Sequence, residues 1–96
     1  MSMLSFHIPS DHPAFSGHFP GMPITPGVVL LDEAMHAIAK QLQLDMQTCK
    51  INSVKFLRTV LPDTHLTVHY EVATNGNIRF DIKDADHIAA TGVFHA

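Results

Sequence analysis

Ninety-six residues leave room for one domain, 1–96, because a second core could not close in what remained. The chain is 46% hydrophobic and only 16% charged, with five Gly and six Pro spread along it, which excludes disorder, a collagen-like repeat and a coiled coil. Six Lys plus Arg against nine Asp plus Glu give a net charge of −3 with no block of like charge, so neither nucleic acid nor an anionic membrane surface has electrostatic support as a partner.

Cys49 is the single cysteine, too few for an internal disulfide or a thiolate zinc site. The opening MSMLSFHIPSDHP has neither a basic n-region nor an apolar h-region, so a reducing, cytoplasmic setting is expected. A domain of this size hides only about 60–65% of its unfolded surface. An unusually apolar helix therefore has to find cover on another chain, and a homodimer is the expectation if one is present.

In chain order, a short strand near Leu4–Ile8 sits in a first stretch, 1–26, whose prolines at 9, 13, 20, 23 and 26 punctuate it too heavily for regular structure. From Val28 to about Leu44 the run VVLLDEAMHAIAKQLQL carries no breaker and predicts one long helix. Thr25 is a competent N-cap, Pro26 suits the first helical position because its missing N–H has no partner there anyway, and Gly27 follows. On a helical wheel Asp32, Glu33, His36, Lys40 and Gln43 share one polar stripe, while Val28, Leu30, Leu31, Ala34, Met35, Ala37, Ile38 and Leu42 cover most of the rest. Nearly the whole helix wants burial.

A polar connection, Asp45–Lys50, leads to a strand over Ile51–Leu61, a turn at Pro62-Asp63-Thr64 and a strand over His65–Thr74. Asn75-Gly76 is a strong hairpin signal, so Asn77–Lys83 returns antiparallel, and Ile88–His95 forms a last strand after Asp84–His87. A helix of this length spans about 26 Å and strands of eight to ten residues about 27–33 Å. A long antiparallel sheet wrapped on one buried helix satisfies both lengths.

Eight histidines invite a metal reading, but His65 and His69, on one strand face, have no third ligand at recognisable spacing, and no metal or other cofactor is expected. His7, His87 and His95 have no recognisable partner in the sequence. His18 is bracketed by two glycines, an aromatic and a proline in GHFPG, a loop that is stiff yet permits close backbone approach. An imidazole with an unperturbed pKa of about 6.5 is mostly neutral at pH 7 and can act as a general base, although a loop histidine can equally hydrogen-bond its own turn. At the helix start, Pro26 offers no N–H and Gly27 no Cβ, which leaves the Gly27 amide accessible to an oxyanion; a plain helix start has the same residues. Asp32 and Glu33 lie beyond the first turn, where the helix dipole gives little reason for a carboxylate, and His36 stands one turn after Asp32 on the same face. A base, an oxyanion donor and an acid thus fall between His18 and Asp32, with a solvated polar stripe as the plain alternative for the acid.

The run HPAFSGHFPGMPITPGVVLLDEAM, a quarter of the chain, resembles the signature of the β-hydroxyacyl-acyl-carrier-protein dehydratases, and INSVKFLRTVLPDT resembles the strand and turn that follow it in that family. The resemblance implies the hotdog fold, an α+β architecture with a long antiparallel sheet around one central helix. It implies His18 as catalytic base, the Gly27 amide as donor to the thioester carbonyl, and an acid fourteen residues after the histidine, which without a gap is Asp32. Glu33-Ala34-Met35 copies the string of the commoner branch one residue late and makes Glu33 the alternative acid; His36 replaces the usual glutamine. One residue turns a helical side chain by about 100°, so only one of the two carboxylates faces the site.

The resemblance also implies a homodimer whose composite sites take the histidine and the acid from different protomers, with higher assembly open. Its substrate is an acyl-carrier-protein or coenzyme A thioester. An apolar tunnel is expected to receive the acyl chain, with Phe19, Pro20, Met22, Pro26, Val28, Met35, His36 and Phe56 in contact with it. Lys55 and Arg58 in KFLR either meet an acidic carrier protein or serve solubility. The chain is shorter than typical members and resembles the small dehydratase-like proteins of aryl-polyene or polyketide-like pathways. A hotdog thioesterase, which needs a helix carboxylate but no histidine loop, and a non-catalytic acyl-binding protein remain as alternatives.

Overall fold

In the computed structural model, which describes residues 2–8, 25, 27–61 and 63–96, the alternating segments fold into five strands and the unbroken apolar run into one helix. The strands are β1 (Ser2–His7), β2 (Lys50–Phe56), β3 (His65–Val72), β4 (Asn77–Asp84) and β5 (His87–His95), and the helix α1 is Gly27–Leu42. All pairings are antiparallel in one sheet of order β1-β3-β4-β5-β2. Period-two alternation puts Leu66, Val68 and Tyr70 of β3 and Ile78, Phe80 and Ile82 of β4 on one buried face, joined by Ala90 and Phe94 of β5. Leu30, Leu31, Ala34, Met35 and Ile38 of α1 complete the same core, which is the sheet-around-helix arrangement expected of a hotdog fold. Gly92 lies opposite Phe80; a Cβ there would come 2.5 Å from the Ser53 carbonyl oxygen and 2.8 Å from Phe80 Cζ, so the ring crosses β5 where only hydrogen fits.

The helix runs Gly27–Leu42 rather than Val28–Leu44. Its end is a Schellman turn built without glycine: Gln43 has φ 58°, its amide donates to the Lys40 carbonyl at 3.4 Å, and the Leu44 amide donates to the Ala39 carbonyl at 2.8 Å. The expected polar connection contains a 3-10 turn, Met46–Thr48, capped by Asp45, whose carboxylate accepts from the Gln47 amide at 2.9 Å.

Strand β2 stops at Phe56 instead of Leu61. A bulge leaves Ala89 unopposed in the β4–β5 pairing, and its carbonyl takes the Leu57 and Arg58 amides at 2.8 and 3.2 Å, which peels the chain off the sheet. Val60 is then buried, and its carbonyl accepts the Thr25 amide at 2.7 Å. The Asn75-Gly76 hairpin forms as expected: Gly76 has φ 91°, and the Ala73 and Asn77 backbones close the turn. The expected burial of nearly the whole helix is met only on the sheet side of this single chain. Val28 is 72% exposed, and Ala37 and Leu42 are half-buried.

Candidate active site

The start of α1 is positioned from outside the helix. The Thr25 to Val60 hydrogen bond ties it to the segment leaving β2, and the Phe56 ring lies against Gly27, where an added Cβ would stand 3.1 Å from ring carbons Cε1 and Cζ. The expected side-chain N-cap is not made. Thr25 is buried, and among the described residues its Oγ1 has no hydrogen-bond partner while its amide is used. The first turn of α1 carries no acidic residue, and the partial positive charge of its leading N–H groups is not offset by a carboxylate within that turn.

Asp32 lies five residues on, about 7.5 Å farther along the axis. It stands on the wall of a groove of about 260 Å³ that, among the described residues, Val28, Leu31, Met35, Met46, Cys49 and Ile51 also line. Glu33, rotated about 100° away, is half-buried and does not line that groove. His36 and Asp32 are brought together as the one-turn spacing predicts. His36 Nδ1 is 2.8 Å from the Asp32 carbonyl oxygen and 3.4 Å from its carboxylate Oδ1, with the side chains 58% and 59% exposed. The Nδ1–H tautomer donates to the backbone carbonyl, which holds the imidazole beside the carboxylate.

Val28 and Met35, expected to contact substrate, lie on the groove, whereas His36 does not line it and Phe56 covers the helix start instead. His18, Phe19, Pro20, Met22 and Pro26 lie outside the described residues. Leu31, Met46, Cys49 and Ile51 also line the groove, and nothing in the sequence marks them for that place. The 3-10 turn that brings Met46 and Cys49 back against the helix has no periodic signature in the sequence.

Burial and the neighbouring Asp45 charge push the Cys49 thiol above the ordinary thiol range, and its Sγ lies 3.5 Å from the Asp45 carbonyl oxygen. Lys55 and Arg58 are exposed, with Arg58 beside Phe56, Leu57 and Thr59 at a shallow depression. His65 and His69 share the outer face of β3, and the described residues contain no group of three or more His, Cys, Asp or Glu placed to hold a metal ion. No helix among the described residues is long and apolar enough to cross a membrane.

Residues 2–93 match the family model described as ApeI-like, ApeI dehydratase. The 3-hydroxyacyl-acyl-carrier-protein dehydratase FabZ of Acetivibrio thermocellus is 33% identical, covering 79% of this chain and 70% of its own. That of an Anaeromyxobacter species is 36% identical over 65% of this chain and 46% of its own, so the chain spans about half the length of some of the relatives it matches. Among solved structures, the dehydratase heterocomplex ApeI:P from Xenorhabdus doucetiae superposes with a TM-score of 0.69 at 26% identity, covering 97% of this chain and 83% of that one. The fluoroacetyl-CoA thioesterase FlK superposes with a TM-score of 0.68 at 13% identity, covering 97% and 80%, which is a likeness of fold alone.

Proposed function

Because the chain belongs to the ApeI-like dehydratase family, we propose that it eliminates water from a 3-hydroxyacyl thioester to give the trans-2-enoyl thioester. His18 removes the α-proton, the Gly27 amide at the start of α1 receives the charge that develops on the thioester oxygen, and protonated Asp32 delivers a proton to the departing hydroxyl. The proton taken by His18 returns Asp32 to its starting form, and the second product is water. The observation that carries this reading is the groove: among the described residues Asp32 is its carboxylate, Glu33 is outside it, and the rest of its wall is apolar or sulfur-bearing. That placement supports Asp32 as the acid and an acyl chain as what lies beyond it.

The site is composite in a homodimer. Val28, Ile51 and Phe56 leave an apolar strip exposed along α1 and the edge strand β2, which a second copy covers. Lys55 and Arg58 flank that strip and meet the acidic surface of a carrier protein, and the free thiol of Cys49 suits a reducing cytoplasm.

The test is incubation with a 3-hydroxyacyl thioester on pantetheine or carrier protein. Ultraviolet absorbance of a 2-enoyl thioester should appear with the thioester intact, and hydration of the enoyl product should run on the same enzyme. Free thiol without enoyl product would replace elimination by hydrolysis, and binding without either change would leave an acyl-binding protein.

A further inference from the structure

We propose that His36 is a positioning residue for the acid: one turn after Asp32, its imidazole holds the carboxyl group toward the groove and leaves the acid's proton to the substrate. This rests on the dehydratase reading. It gives a role to the histidine that stands where the resembling sequences have glutamine, a residue first expected to touch substrate but absent from the groove wall.

The tautomer decides what the ring does. His36 Nδ1 lies 2.8 Å from the Asp32 carbonyl oxygen. A carbonyl oxygen only accepts, so Nδ1 carries the hydrogen, and the lone pair of the neutral ring is on Nε2. Inside α1 the same oxygen takes the His36 backbone amide as its helical bond, so ring and backbone are fastened to one atom. Asp32 Oδ1 is 3.4 Å from that Nδ1. With its one hydrogen spent on the carbonyl, Nδ1 has no lone pair to offer the carboxyl group. A proton on Asp32 is therefore not drawn into the ring and stays available to the departing hydroxyl.

Placement agrees with this role. A helical side chain leans over the turn N-terminal to its own Cα, so the ring at 36 lies over the turn that carries Asp32. Asp32 lines the groove and His36 does not, which puts the ring behind the carboxyl group. The two side chains are 58% and 59% exposed, so without the ring the carboxyl group is free to turn into water. An exposed pair one turn apart adds little to stability, and the consequence of the contact lies in the orientation of Asp32.

The experiment joins a spectroscopic and a kinetic readout. In wild-type protein labelled with nitrogen-15 and carbon-13, at neutral pH, His36 should show a protonated Nδ1 and an unprotonated Nε2, the reverse of the tautomer that free histidine favours. Side-chain couplings of Asp32 should report one χ1 rotamer, and His36→Leu should average them. With a 3-hydroxyacyl pantetheine thioester, His36→Leu should lower kcat about tenfold at unchanged KM, short of the roughly 100-fold that a 1 Å misplacement of a reacting group costs. His36→Asn places an amide N–H as many bonds from the backbone as Nδ1, so it should bring back the single rotamer and return kcat to within about threefold of wild type. The urea midpoints of the three chains should differ little.

A wild-type ring protonated at Nε2, alone or together with Nδ1, overturns the assignment, as do Asp32 couplings that His36→Leu leaves unmoved. Normal kcat with raised KM in His36→Leu makes His36 a substrate contact instead, and His36→Asn no better than His36→Leu refutes the role of the donor. If no chain forms enoyl product while the tautomer and rotamer are as stated, dehydration is refuted and the hold on Asp32 stands. Enoyl product from a wild-type chain whose Asp32 is already averaged does the reverse.

Discussion

Gly27→Ala separates the structural from the chemical role of the helix start. The new Cβ would lie 3.1 Å from two carbons of the Phe56 ring and 3.3 Å from a third, against ordinary contacts that begin near 3.4 Å, so the ring has to retreat by about 0.3 Å. Phe56 is 46% exposed in the single chain, so nothing within that chain blocks the retreat. Alanine also favours a helical position by up to about 1 kcal/mol over glycine. Small strain and small gain offset each other, and the urea midpoint should shift by no more than the equivalent of about 1 kcal/mol.

Catalysis should respond differently. The amide remains, but a methyl group and a displaced ring stand where the thioester oxygen has to approach. Losing one oxyanion donor outright costs about 100- to 1,000-fold, and a misplaced one somewhat less, so kcat/KM for the 3-hydroxyacyl thioester should fall about 10- to 100-fold with KM little changed. Adding Phe56→Leu removes the ring from the clash and tells crowding by Phe56 from blockage of the amide itself, because only the first is relieved. A Gly27→Ala chain with wild-type stability and wild-type turnover would refute the assignment of this amide to the oxyanion.

Asp32→Asn should reduce turnover at least 100-fold while Glu33→Gln stays within a fewfold of wild type; the opposite order in the same enoyl assay would mean that the Glu-Ala-Met string sets the helix register. Mixing His18→Ala with Asp32→Asn chains should restore activity through one intact composite site per heterodimer, and a mixture that exchanges subunits by mass spectrometry yet stays inactive would place both groups in one protomer. Gly92→Ala forces either the Ser53 carbonyl or the Phe80 ring to move and should cost about 1–3 kcal/mol in denaturant unfolding. Because burial and then Asp45 hold the Cys49 thiol above its ordinary range, the folded chain should react with iodoacetamide more slowly than the urea-unfolded chain just above that range. The unfolded thiol ionises first, so the stability this group contributes is complete below the unfolded thiol pKa and is lost as pH rises through the folded one.

Much of the scaffold follows from local chemistry that any neighbour would respect. Leu66, Val68 and Tyr70 alternate with polar residues and could only form a half-buried strand, Asn75-Gly76 supplies the backbone freedom its turn requires, and the breaker-free run after Gly27 forms a helix because its apolar stripe repeats near 3.6 residues. The helix stop was not legible because the left-handed position is held by Gln43, where glycine is the usual signal, and the early end of β2 depends on a bulge at Ala89 more than thirty residues away.

Of the candidate site, spacing nominates His18, Gly27 and Asp32 and leaves Glu33 as the alternative acid, while the placement of Asp32 but not Glu33 on the groove has no sign in the sequence. Each carboxylate has the same intrinsic chemistry, and what separates them is the groove that β2 and the 3-10 turn build on one side of α1. Strand order has the same character: β2 leaves β3, its neighbour in sequence, and pairs with β5, which carries Phe56 to the helix start and Ile51 to the groove. Periodicity records which face of an element is buried, but only the packed sheet determines which element covers it.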